Sequence, residues 1–95
     1  MIGRRHTKED DIMGELSKLP NIGKAAERSL ENAGIFTPEE LRALGSKKAF
    51  WRVKSVEPGA CLNRLYALEG AVQDVRKSEL SEEKKKELRE FFNSM

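Results

Sequence analysis

Apolar residues in this chain recur at helical spacing in short runs, and each run is soon cut by a proline or a glycine. No stretch alternates β-branched and polar residues as a half-buried strand requires. Such a chain can bury its apolar side chains in one way: short amphipathic helices folded back on one another across tight corners. Its 95 residues suffice for one small core. The expected fold is all-α, a compact bundle of five to six short helices. Residues 1–10 are polar and aperiodic and read as a flexible N-terminal tail, leaving 11–95 as a single helical domain.

Local signals place the helices. A first one is expected over 11–18, with Ile12, Leu16 and Leu19 on one face and Asp10 or Asp11 as its cap. The second spans 24–32, with Ala26, Leu30 and Ala33 inward and Gly34 just past its end. Thr37-Pro38-Glu39-Glu40 has a capping residue, a proline for the first helical position and a glutamate to close a capping box. The third helix therefore starts there and ends at Gly45. Ser46 caps a fourth over 47–55, carrying Ala49, Phe50 and Val53. A fifth over 60–76 has the best periodicity, through Leu65, Leu68, Val72 and Val75. Ser81 caps a sixth over 82–93, with Leu88, Phe91, Phe92 and Met95 on one stripe. Gly70 lies within the fifth helix at a cost of about 1 kcal/mol relative to alanine, which predicts a close helix crossing there.

The sharpest local feature is the corner Leu19-Pro20-Asn21-Ile22-Gly23-Lys24. Leu19 is biased to extended backbone by the following proline, and Asn21 tolerates turn geometry. Ile22 is expected to wedge the angle between two helices. Gly23 lets an anion approach the main chain, and the start of the next helix supplies unpaired N–H groups and a positive dipole end. Lys24 stands at that end, with Arg28 one turn further on. Asn21, Ile22, Gly23, Lys24 and Arg28 are thus the candidate DNA-binding set, and a purely structural corner is the alternative. The turn resembles a helix-hairpin-helix motif with Asn21 in place of the first glycine. It also looks like the hairpin in the C-terminal domain of the RNA polymerase α subunit. Glu57-Pro58-Gly59-Ala60-Cys61 is a second, degenerate corner with Leu62 where the lysine would stand, and reads as structural.

A longer resemblance covers about 16–92. Leu19-Pro20-Asn21-Ile22-Gly23-Lys24, then Gly34-Ile35-Phe36-Thr37 with Glu40-Leu41-Arg42-Ala43-Leu44-Gly45, then Cys61-Leu62-Asn63-Arg64-Leu65-Tyr66-Ala67-Leu68-Glu69-Gly70-Ala71 resemble, in order, the C-terminal domain of the TfoX (Sxy) competence-regulator family. The resemblance implies a bacterial cytoplasmic protein connected with activating DNA-uptake genes. It also implies a five-helix fold akin to sterile-alpha-motif and paired-hairpin domains. Many members of that family carry an α/β domain ahead of this one, for which this chain has no room.

Charge leaves two partner classes open. The net charge is only +2, but 42–56 holds Arg42, Lys47, Lys48, Arg52 and Lys54 and no acid. Lys47, Lys48 and Arg52 form a secondary basic surface able to meet phosphate. Phe50 is expected in the core and Trp51 half buried beside it. The first function reading is weak, sequence-nonspecific binding to the DNA phosphate backbone. The second is a protein-interaction module that contacts a transcription factor, RNA polymerase or another copy of itself. That module needs an exposed patch, around Trp51 or Phe92. Asn63, Tyr66 and Glu69 share a face, as a packing network or a partner surface. Residues 82–87 read as a solvated face laced with i,i+4 ion pairs.

Enzymatic chemistry has little to work with. His6 is the single histidine, in the tail, and the single Cys61 is expected to be buried as a small apolar residue. One cysteine excludes an internal disulfide and a multi-thiolate metal site. Glu9-Asp10-Asp11 lacks metal-loop spacing. No enzyme activity, cofactor or metal is expected. The longest uncharged apolar stretch is too short for a membrane span, no secretory signal is present, and a cytoplasmic location is the expectation.

Overall fold

Thr37 and Ser81 start helices where their hydroxyls dictate. In the computed structural model, which describes residues 15–95, Thr37 Oγ1 accepts from the Glu40 amide at 3.1 Å. Ser81 Oγ accepts likewise from the Lys84 amide at 3.0 Å. Each such cap is worth about 1 kcal/mol. The Glu40 carboxylate reaches back to the Phe36 amide at 2.7 Å, one residue beyond the cap. The fold is all-α: α1 Lys24–Asn32, α2 Pro38–Val56, α3 Leu62–Gln73 and α4 Glu82–Asn93, with 3-10 turns at Leu16–Lys18 and Lys77–Glu79. Among the described residues there is no strand, and no helix long and apolar enough to cross a membrane.

Among the described residues four helices stand where five to six were expected, for identifiable reasons. Of the first expected helix, only a single 3-10 turn falls within the described residues; Ile12, the Asp10 and Asp11 caps, His6, Glu9 and the tail lie outside them. The third and fourth are joined as α2, but Gly45 sits between them at φ 82°, ψ 162°, a conformation that only glycine enters without strain. Ser46 does not cap the second segment; its hydroxyl donates instead to the Glu69 carboxylate on α3.

The C-terminal ends of α1 and α3 share one geometry. At the end of α1, Gly34 takes φ 85°, and the Ile35 amide donates to Leu30 O at 2.9 Å. At the end of α3, Asp74 takes φ 63°, and the Val75 amide donates to Gly70 O at 2.8 Å. These are Schellman closures, satisfying carbonyls that the helix cannot. The second closes α3 at Gln73 rather than the expected 76, with aspartate doing what glycine usually does.

The core lies between α2 and α3, closed by α1, α4 and the corners. Leu16, Leu30, Ile35, Leu41, Phe50, Val53, Leu65, Leu68 and Leu88 are wholly buried. Phe50 packs its ring on Phe92 with centroids 5.9 Å apart. On α4, Lys84–Glu87 and Lys85–Glu82 pair at i,i+3 rather than i,i+4.

One acid is held against its charge. Glu31 sits in the last turn of α1, the negative end of the helix dipole. Its Oε2 is shut from solvent with no hydrogen-bond partner. Burial, then Glu27, raise its carboxyl above the ordinary 4.5, and Arg28 only partly opposes them. A raised folded-state pKa means the charged form costs stability at neutral pH, a cost that vanishes as pH falls through the folded pKa. Glu31→Gln is therefore expected to raise the Tm at pH 7. The gain should shrink as pH is lowered through the carboxylate range, as thermal melts across that range would read.

Candidate nucleic-acid interface

The corner before α1 is built from its sequence. Leu19 is extended, at φ −77°, ψ 151°. Asn21 turns the chain at φ 70°. The Ile22 amide donates to Leu19 O at 3.3 Å, and its side chain is buried, the wedge expected of it. Gly23 is the N-cap of α1 in extended backbone, with no side chain to cap the helix. The space a Cβ would occupy on Gly23 is open.

The consequence is an uncovered helix start. The amides of Gly23, Lys24 and Ala25 donate to no acceptor among the described residues, and all three residues are exposed. Lys24 and Arg28 are exposed and form no ion pair with a described residue. Lys18, exposed in the 3-10 turn just before the corner, adds a cation that spacing alone did not single out. The one acid in this first turn, Glu27, has its carboxylate on the Ser17 amide at 3.2 Å. That bond ties the preceding turn to α1.

Asn21 faces away from this edge. Its Nδ2 donates to Val75 O at 3.0 Å and to Ala67 O at 3.4 Å, and its Oδ1 accepts from the Lys77 amide at 3.0 Å. The carboxamide lies over Gly70, where an added Cβ would stand 2.4 Å from Nδ2 and 2.7 Å from Val75 O. Gly70 is therefore the site of a close approach, but by a side chain and a loop rather than by a crossing helix. Of the five candidate residues, the structure leaves Gly23, Lys24 and Arg28 at the surface. It commits the Asn21 side chain and the Ile22 amide to holding the corner. The partners of Asn21 lie 46 to 56 residues away, beyond the reach of local pattern.

The second corner repeats the turn without the charge. The Ala60 amide donates to Glu57 O at 2.9 Å, matching Ile22 and Leu19, and Ala60 is buried as Ile22 is. Cys61 is the N-cap of α3 and is exposed, not buried. Ala60 takes the core position, and the thiol is left at the rim. The nearby Arg64 amide, opposed by burial and helped by the Asn63 amide, lowers its pKa. Lys54 Nζ donates to the carbonyls of Pro58 at 2.6 Å and Ala60 at 3.0 Å. The Glu57 carboxylate takes the Ser29 hydroxyl and lies 3.5 Å from Arg64 Nη1. This corner is clamped from both sides.

The secondary basic surface is divided. Lys47 is paired with Glu87, while Lys48 and Arg52 are exposed. Lys47 and Lys48 line a cleft with Trp51 and Phe91, and Arg52 lines a separate one with Ile35, Glu40 and Leu44. Trp51 is 62% exposed rather than half buried, because Phe50 alone takes the inward position. The Asn63, Tyr66 and Glu69 face splits as well. Glu69 holds Ser46 and Gln73, the Tyr66 hydroxyl accepts from Arg89 at 3.3 Å, and Asn63 is exposed.

Fold and surface together define a small all-α domain that turns at a proline-containing corner, with bare helix amides beside a lysine and an arginine. The chain belongs to the TfoX C-terminal domain family, whose pattern it matches over residues 12–92. It is similar to the crystal structure of an uncharacterized protein from Listeria monocytogenes in a triclinic form. The TM-score is 0.82 at 53% identity, over 83% of this chain and 90% of that one. A protein of unknown function from Listeria monocytogenes, in a tetragonal form, gives 0.81 at 52% identity, over 82% and 96%. No curated protein matches the chain.

Proposed function

We propose that this chain is a non-enzymatic regulatory domain, connected with competence gene expression as its family suggests, that holds the DNA phosphate backbone without reading bases. One observation carries the reading: Gly23, Lys24 and Ala25 are exposed residues whose amides have no acceptor among the described residues, beside Lys24 and Arg28, which form no ion pair with a described residue. An anion there meets main-chain donors, the positive end of α1 and two side-chain charges together. Asn21 and Ile22 set the corner's shape from behind and touch no phosphate. With so few charges, affinity is expected at about the micromolar level or weaker and to fall steeply with salt.

Fluorescence anisotropy with a labelled duplex, at low and moderate salt, tests this. Lys24→Glu with Arg28→Glu is expected to lower affinity about tenfold or more at low salt and to flatten the salt dependence. In an NMR titration, the Gly23, Lys24 and Ala25 amides should shift first. Absence of binding at low salt, or an affinity untouched by the double reversal, overturns the proposal.

A further inference from the structure

Trp51 stands between two apolar grooves that the hairpin does not use. On one side, a groove of about 480 Å³ is lined by Trp51, Lys54, Ser55, Phe92 and Met95. On the other, a smaller cleft of about 130 Å³ is lined by Trp51, Lys47, Lys48 and Phe91. Trp51 is 62% exposed and Met95 46%, so this is apolar surface left in water in a chain otherwise rich in charge. No aspartate or glutamate lines either groove. Lys47 is neutralised by Glu87. Lys54 is held on two carbonyl oxygens, which leave its charge uncompensated, and Lys48 is exposed with no ion pair to a described residue. One uncompensated cation therefore flanks Trp51 in each groove.

We infer that this face docks an acidic, amphipathic segment of a partner protein, with an apolar side chain in each groove and carboxylates over Lys48 and Lys54. Charge complementarity selects the partner, and the grooves explain why it is a protein. Walls of phenyl rings and a thioether accept inserted side chains, and an exposed tryptophan with methionine and aromatic neighbours is the usual make-up of a binding anchor. A nucleic-acid strand needs several free phosphate donors along its path. Here Lys47 is neutralised by Glu87, and Lys48 and Lys54 stand one in each groove rather than along a continuous track.

Trp51 is the only tryptophan in the chain, so its emission reports the site directly. The probes are a twelve-residue synthetic peptide of leucine, phenylalanine and aspartate, the same peptide with lysine for aspartate, and a twelve-nucleotide oligothymidine. The acidic peptide is expected to shift Trp51 emission to the blue saturably, and the lysine peptide and the oligonucleotide to leave it unchanged. By anisotropy of labelled peptide, Lys48→Glu should weaken binding about fivefold, near 1 kcal/mol. Trp51→Ala should weaken it tenfold or more with the helical circular dichroism intact, and Lys24→Glu should have no effect. The inference is overturned if the oligonucleotide binds in place of the acidic peptide, if both peptides bind alike, or if no peptide binds at millimolar concentration. It is also overturned if sedimentation shows the protein alone self-associating through Trp51.

Discussion

Gly70→Ala is expected to destabilise the domain by about 2–4 kcal/mol, although alanine is the better helix former by about 1 kcal/mol. The sign follows from what stands over the site. An added methyl would lie 2.4 Å from Asn21 Nδ2, 2.7 Å from Val75 O and 3.2 Å from the Lys77 amide nitrogen. The carboxamide end can move, but the main chain at Val75 and Lys77 is fixed by the Schellman closure and the following 3-10 turn. Relief therefore comes by displacing Asn21, which breaks its three hydrogen bonds and leaves part-buried polar groups unmet. Urea unfolding of the wild type, Gly70→Ala, Asn21→Gly and the double variant reads the coupling. Asn21→Gly keeps a residue able to take φ 70° and loses only the bonds. The double variant should therefore cost less than the sum of the singles. A Gly70→Ala protein as stable as the wild type would show that the carboxamide does not hold the corner.

How far this arrangement was readable depends on how local its causes are. The start of α4 at Glu82 and its end at Asn93 follow from Ser81 and the apolar stripe, all within reach of one another along the chain. The break at Gly45 was readable because a glycine between two capping signals admits few other uses, and its backbone is indeed non-helical. The buried set of Leu30, Leu41, Phe50, Leu65, Leu68 and Leu88 follows from helical spacing. Three features were out of reach. Asp74 ends α3 in left-handed backbone, a choice that aspartate shares with many residues that stay helical. Asn21 was readable as a turn residue, but not as a staple, because its partners are brought to it only by the folded bundle. Cys61 occupied an apolar register, yet the helix starts at Leu62, two residues later than the pattern implied, and leaves it at the rim. The candidate anion edge itself was legible, since bare amides follow from a helix start that lacks a capping side chain.

The adjacent aromatics Phe50 and Trp51 are expected to behave oppositely on truncation, and Phe50→Ala should be the most damaging single change considered. Phe50 is 0% exposed, on the segment of α2 beyond Gly45 that lies in the core, with its ring tilted at 52° to Phe92. Removing it opens a cavity that the rest of the buried cluster cannot fill, since its members are already packed in their own places. The expected loss is about 3–5 kcal/mol, comparable with the whole stability of a domain this size. The variant should melt far below the wild type or fail to fold at 37 °C. Trp51→Ala removes a larger side chain from the next position, but most of that surface is in water in the folded and unfolded states alike. Its effect on unfolding should stay within about 0.5 kcal/mol. Phe50→Leu, which retains most of the apolar volume, is expected to recover about half of the loss and keeps the test readable if the alanine variant does not fold. Equal destabilisation by Phe50→Ala and Trp51→Ala would mean that the helix is rotated about its axis from the orientation described, with both rings sharing the core. The exposed tryptophan face would then not exist for a partner to occupy.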